Sequence, residues 1–100
     1  MKSPAECKDI QDIRDAVNEY DRQIIELLGK RTRYVHEAVR FKNSEDDIRR
    51  PGHIPALIEQ RRAWAKEYGV DPGFVANIYQ TLVDHSFDVQ AELWKKAQKR

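Results

Sequence analysis

Three cations in the first part of the chain have the spacing to do chemistry: Arg14, Arg31 and Lys42. Written as heptads, Arg14, Asp21, Leu28, Val35 and Lys42 share one position, and Val17, Ile24, Arg31 and Ala38 share another. These are the two positions that face inward when helices pair. An unpaired charge is costly to bury on such a seam. A single long basic side chain there commonly lays its stem along the seam and keeps its head in water. Three on one seam point to a buried anion. Arginine makes bidentate contacts with carboxylates, and lysine places a point charge. Further along, Ser86 and Gln90 stand four residues apart and interrupt an otherwise apolar stripe between Leu82 and Leu93. That polar pair is either a satisfied core hydrogen bond or part of a site.

Spacing along a helix then constrains the assembly. Arg31 and Lys42 are eleven residues apart, so ~16 Å along the axis and nearly on one face. Two such side chains leaning together reach opposite ends of one small dianion. Arg14 precedes Arg31 by seventeen residues, or ~25 Å on the same rod. No metabolite-sized ligand bridges that gap within one helix. A site using all three cations must take Arg14 from another subunit, which predicts an intertwined homodimer with two equivalent shared sites. The other catalytic inventory is thin. His36, His53 and His85 are scattered without ligand spacing, which argues against a metal site. There is no Gly-rich phosphate loop, and no Ser or Cys stands beside a recognisable base. What is left is an anion clamp without a nucleophile, suited to reactions that need positioning and charge stabilisation but no covalent step.

The elements that must carry these residues are helices. From Asp9 to Lys42 there is no Pro and a single Gly, Gly29, and apolar residues recur at helical spacing through Ile10, Ile13, Val17, Ile24, Leu27, Leu28, Val35, Ala38 and Phe41. A helix over 9–42 would be ~50 Å long, too long to be the central helix of a compact 100-residue monomer. Ser3-Pro4-Ala5-Glu6 has a helix-start pattern ahead of it, and Asp9 or Asp12 is placed to cap the long helix. The polar run Asn43-Ser44-Glu45-Asp46-Asp47 and then Pro51-Gly52 predict a loop over 43–53, long enough to serve as a lid. A second helix is expected over 54–68, with Pro55 in its first turn and Gly69 as its stop. Asp71-Pro72 then opens a third, over 72–98. No strand signal, repeat or low-complexity segment occurs. The chain reads as all-α: one domain of three helices, the first very long.

Composition narrows the partners. Eighteen basic residues face seventeen acidic ones, for a net charge of +1, which is no footprint for nucleic acid. The basic end, Lys95, Lys96, Lys99 and Arg100, suits a solvated helix C-terminus. Nothing approaches a membrane-spanning run, and the N-terminus has no apolar signal core. The lone Cys7 allows no internal disulfide and fits a reducing, cytoplasmic setting.

The chain resembles the all-helical chorismate mutase family, and within it the isochorismate-pyruvate lyases of salicylate and siderophore biosynthesis. The resemblance covers nearly the whole chain. It runs through the opening Met1-Lys2-Ser3-Pro4-Ala5-Glu6-Cys7, Asp12-Ile13-Arg14, Asp21 with Ile24 and Leu28, and Lys30-Arg31. It continues through Val35, Arg40-Phe41-Lys42, Arg62-Ala63-Trp64-Ala65 and the Gln90 helix ending in Trp94. It implies a dicarboxylate substrate, isochorismate, from which pyruvate is eliminated to leave salicylate in a concerted pericyclic step without a cofactor, with a weak mutase side activity. Carried over residue by residue, Arg14 of the partner chain and Arg31 bind the two carboxylates. Lys42 sits at the ether oxygen, and Gln90 donates to the same region. The resemblance also implies a mobile loop after the lysine that closes over the ligand.

Departures from the family pattern fall near the second helix. Where the family usually carries an Arg that completes the anion site, this chain has His53, within Arg50-Pro51-Gly52-His53. Either Arg49 or Arg50 substitutes, or His53 binds only when protonated, which would make activity pH-sensitive. The acidic residues that mutases of this fold often use here are missing, which favours the lyase. Ser86 stands where mutases often have a small hydroxyl residue. Two other classes stay open: a chorismate mutase proper, and a non-catalytic helical dimer that only binds.

Overall fold

The computed structural model describes residues 2–98. No strand occurs among them, and the all-α class and three long helices expected from the sequence are what the chain has. These are α1 (Ile10–Ala38), α3 (Ile54–Glu67) and α4 (Pro72–Gln98), joined by a short α2 (Glu45–Arg49). Single 3-10 turns lie at Pro4–Glu6, Val39–Phe41 and Pro51–His53. Among the described residues, no helix is long and apolar enough to cross a membrane. Lys99 and Arg100 of the basic end lie outside the described residues. The chain forms two compact units, divided between Tyr34 and Val35.

The N-terminal unit is held by local polar bonds. Asp9 caps α1, its Oδ1 accepting from the Asp12 amide at 2.8 Å. Asp12, the other candidate cap, instead accepts from the Lys8 amide and from Lys2 Nζ, each at 3.0 Å. Before it, the Ser3 amide donates to the Glu6 carboxylate at 2.9 Å. These donors hold both carboxyls below their ordinary range: the Lys8 amide and then Lys2 for Asp12, the Ser3 amide and hydroxyl for Glu6. No residue of α1 is buried. Ile10, Val17, Tyr20, Ile24, Ile25 and Leu27 are all exposed.

The second unit has a core. Its helices α3 and α4 pack together, and Ala65 of α3 and Val83 and Ala91 of α4 are buried. Arg61 covers one side, its guanidinium carbon 4.8 Å from the Trp64 ring and 5.4 Å from the Tyr79 ring, stacking that favours arginine over lysine. Gly69, at φ 71°, ends α3 as expected. Its amide donates to the Lys66 carbonyl and the Val70 amide to that of Ala65, the paired bonds of a left-handed helix stop. Asp71 Oδ1 then accepts from the amides of Gly73 and Phe74 and caps α4.

Two expectations need correction in this unit. The α-helix expected to reach Lys42 stops at Ala38, tightens to a 3-10 turn, and leaves Lys42 extended at φ −96°, ψ 137°. Residues 43–53, expected as a loop, carry α2 and the Pro51–His53 turn. The reason is chemical. Ser44 is extended and its hydroxyl accepts from the Asp47 amide at 3.2 Å, while Glu45, Asp46 and Asp47 place negative charge on the helix N-terminus. Asp47 Oδ2 in turn accepts from the Asn43 amide at 3.0 Å. Lys42 and Ser44 are both extended, so the chain leaves the first helix before it enters the cap of α2. Ile48, only 2% exposed, anchors α2, which packs on α4. The Arg49–Asp88 and Lys95–Glu45 ion pairs flank it at 3.7 and 3.3 Å, and both are too exposed to contribute much.

Candidate active site

Lys42 follows the 3-10 turn and is half-buried. Its ammonium donates to the backbone carbonyl of Asp47 at 3.2 Å. One of three N–H bonds is thereby used, and two stay available to a ligand. Gln90 is 7% exposed on α4, and its Nε2 donates to the Val35 carbonyl at 2.8 Å. That carbonyl belongs to the last turn of α1, where helical donors run out. Gln90 thus makes a core hydrogen bond, and its second N–H is not consumed by that bond. Lys42 follows the turn at the end of α1, and Gln90 is bonded to the last turn of that helix.

An open groove of about 470 Å³ runs along this stretch, lined by His36, Val39, Arg40, Lys42, Leu93 and Trp94. Trp94 lies one turn beyond Gln90. Its indole N–H is buried and has no acceptor among the described residues, a state that costs about 1–3 kcal/mol. Arg40 and Lys42 therefore meet on one concave surface with an apolar wall. Such a surface suits an anionic ligand with an unsaturated or ring-like body.

Other expected site residues are placed less centrally. Ser86 is half-buried on α4, one turn before Gln90, and His53 is exposed at the N-terminus of α3, where its side chain makes no capping bond. Neither lines the groove. Arg14 and Arg31 lie on α1 in the N-terminal unit, Arg14 exposed and Arg31 half-buried. The sequence reading passed over Ser44, Asp47 and the groove face of Trp94. A signal for the first two was present. Ser44-x-x-Asp47 followed by apolar Ile48 is the pattern of a capped helix start, hidden because the acidic run reads as loop composition.

Residues 13–91 match the family model for chorismate mutase type II. The chain belongs to that family. The chain is 35% identical over 96 residues to the isochorismate pyruvate lyase of Pseudomonas aeruginosa, covering 96% of this chain and 95% of that one. It is 24% identical over 92 residues to the chorismate mutase of Methanocaldococcus jannaschii, covering 91% and 93%. The matched span contains Arg14, Arg31, Lys42, His53, Ser86 and Gln90.

Proposed function

We propose that this protein is a cofactor-free isochorismate pyruvate lyase that works as a homodimer with two shared sites. The full-length 35% identity to an enzyme of that name carries the reading. In the reaction, the ether C–O bond breaks while a ring hydrogen passes to the methylene carbon of the enolpyruvyl group. Pyruvate leaves with its methyl group complete, and the ring aromatises to salicylate. No nucleophile is needed, which fits the absence of one from the sequence inventory. Arg31 and the partner chain's Arg14 bind the two carboxylates. Lys42 meets the ether oxygen and stabilises the charge that grows there, and the free N–H of Gln90 supports it. Ser86 and His53 are further substrate contacts, and residues 43–53 close over the bound ligand.

The dimer is supported by the outward face of α1. Ile10 is 60% exposed, Ile24 54%, Ile25 68% and Leu27 62%, and each such side chain gains about 1.5–3 kcal/mol when fully buried. A second chain lying along α1 would cover them and bring its Arg14. A cytoplasmic location belongs to the same reading, supported by the lone cysteine.

A second reading, chorismate mutase, is favoured by the archaeal relative and by Ser86. A paired assay separates the two: salicylate fluorescence with isochorismate, and loss of absorbance with chorismate. Faster turnover of isochorismate is expected. Faster turnover of chorismate would make the chain a mutase, and silence on both would leave a dimer that only binds.

A further inference from the structure

The side chain assigned to the breaking bond is held by a carbonyl that a proline has left free. Asp47 is the third residue of α2, so its carbonyl would normally accept from the amide four residues on. That residue is Pro51, which has no N–H. The neighbouring amide, Arg50 N, is already committed to the Asp46 carbonyl at 3.0 Å, with Arg50 turned into the left-handed region at φ 33°. Asp47 O therefore has no helical donor, and Lys42 Nζ takes it at 3.2 Å. Three further features fix where that carbonyl points. Ser44 Oγ accepts from the Asp47 amide, Asp47 Oδ2 accepts from the Asn43 amide, and Ile48 pins the next residue against α4. A flexible four-carbon side chain is thereby held at its tip by one backbone carbonyl whose direction the turn fixes.

We infer that the Ser44–Asp47 turn, with Pro51, is a positioning device for Lys42: it holds the ammonium in its working direction while leaving two N–H bonds for the substrate. Asp47, Ser44 and Pro51 are positioning residues and need not touch the ligand. The inference rests on the role given to Lys42 above. It also gives α2 a purpose beyond covering the groove, since a lid needs only bulk, whereas a positioning turn needs its cap and its missing N–H.

Pro51→Ala is the informative variant, because structure and function predict opposite outcomes. It restores an amide that competes with Lys42 for the Asp47 carbonyl, and it allows α2 to continue, so helicity holds or rises. Turnover of isochorismate should fall about fivefold in kcat, with KM changed less than about twofold, as for loss of a bond worth one helix cap. Ser44→Ala should lower kcat by a similar factor, and Ser44→Thr, which keeps the capping oxygen, should restore it. Unchanged kcat in both Pro51→Ala and Ser44→Ala, with Lys42→Ala inactive, would overturn the positioning role and leave the assignment of Lys42 standing. Retained turnover in Lys42→Ala would instead remove the reading on which the inference depends.

Discussion

The two units of this chain solve the problem of stability in opposite ways. Every buried residue among those described, Ile48, Ala65, Val83, Gln90 and Ala91, lies after Tyr34. Before it, a long helix has its N-terminal cap in order and no buried residue at all. Local signals are sufficient to make a helix but not to give it a core, because most helical stability in proteins comes from packing an apolar face. The second unit buries such faces within one chain. The first exposes its face, and the same helix carries Arg14 and Arg31. On the proposed reading, function and assembly are tied together in the N-terminal unit, whereas Lys42 and Gln90 are held within the second unit by bonds to their own chain.

The contrast breaks most completely if the apolar face of α1 is spoiled. Ile24→Asp places a charge on the seam that the proposed second chain would cover, where it cannot be paired. Analytical ultracentrifugation should show a monomer, and turnover should disappear, since every site loses a whole chain and not one side chain. A variant that stays dimeric and active would mean that α1 is not the interface.

Single-site variants sharpen the picture further. Arg14→Ala and Lys42→Ala should each lower kcat/KM by about 10²–10³-fold, the cost of removing one preorganised charge or donor. Mixed after co-refolding, the two inactive proteins should recover activity. Half of the dimers are then mixed, and each has one site with Lys42 from one chain and Arg14 from the other. About a quarter of wild-type activity is expected from this symmetry. No recovery would place Arg14 and Lys42 of each site on the same chain, or take Arg14 out of the site.

In the second unit the corresponding test is packing. Ile48→Ala opens a cavity between α2 and α4 and should cost about 2–3 kcal/mol by denaturant unfolding. Because Ile48 adjoins Asp47, turnover should fall along with stability. Loss of stability at full turnover would separate α2 from the chemistry.

Legibility in the sequence followed the same division. Long periodic runs, a glycine at a helix stop and an Asp-Pro start all announced themselves, so α3 ends at Gly69 and α4 begins behind Asp71 as read. The break after Ala38 gave no local sign, with neither Gly nor Pro between Ala38 and Lys42. Gln90, distant in sequence, reaches back to the Val35 carbonyl, and extended backbone at Lys42 leads into the Ser44 cap, whose signal reads as loop composition. Arg14, Arg31 and Lys42 could be singled out because burying charge on a seam is costly wherever the seam lies. What Lys42 bonds to could not, because its acceptor is a backbone carbonyl freed by a proline, and that depends on the turn having formed.

The smallest effect expected is at the N-terminus, and it tests whether that unit is held by polar bonds and not by burial. Glu6 and Asp12 have folded-state pKa values lowered from 4.5 and 3.8 by the amides and the lysine that donate to them. A carboxyl lowered on folding stabilises the fold fully above its unfolded value, and that contribution fades as pH falls through the folded one. The Ser3–Glu6 and Lys8–Asp12 bonds should therefore be intact above about pH 4.5 and loosen as the pH drops below the ordinary carboxylate range. By NMR, the Ser3 and Lys8 amides should shift and lose protection on acidification before the amides of Val83 and Ala91 do. Glu6→Gln and Asp12→Asn should remove this early transition, since neither amide side chain titrates. If the two groups of amides instead lost protection together, the N-terminal bonds would be coupled to the core, and the two units would melt as one.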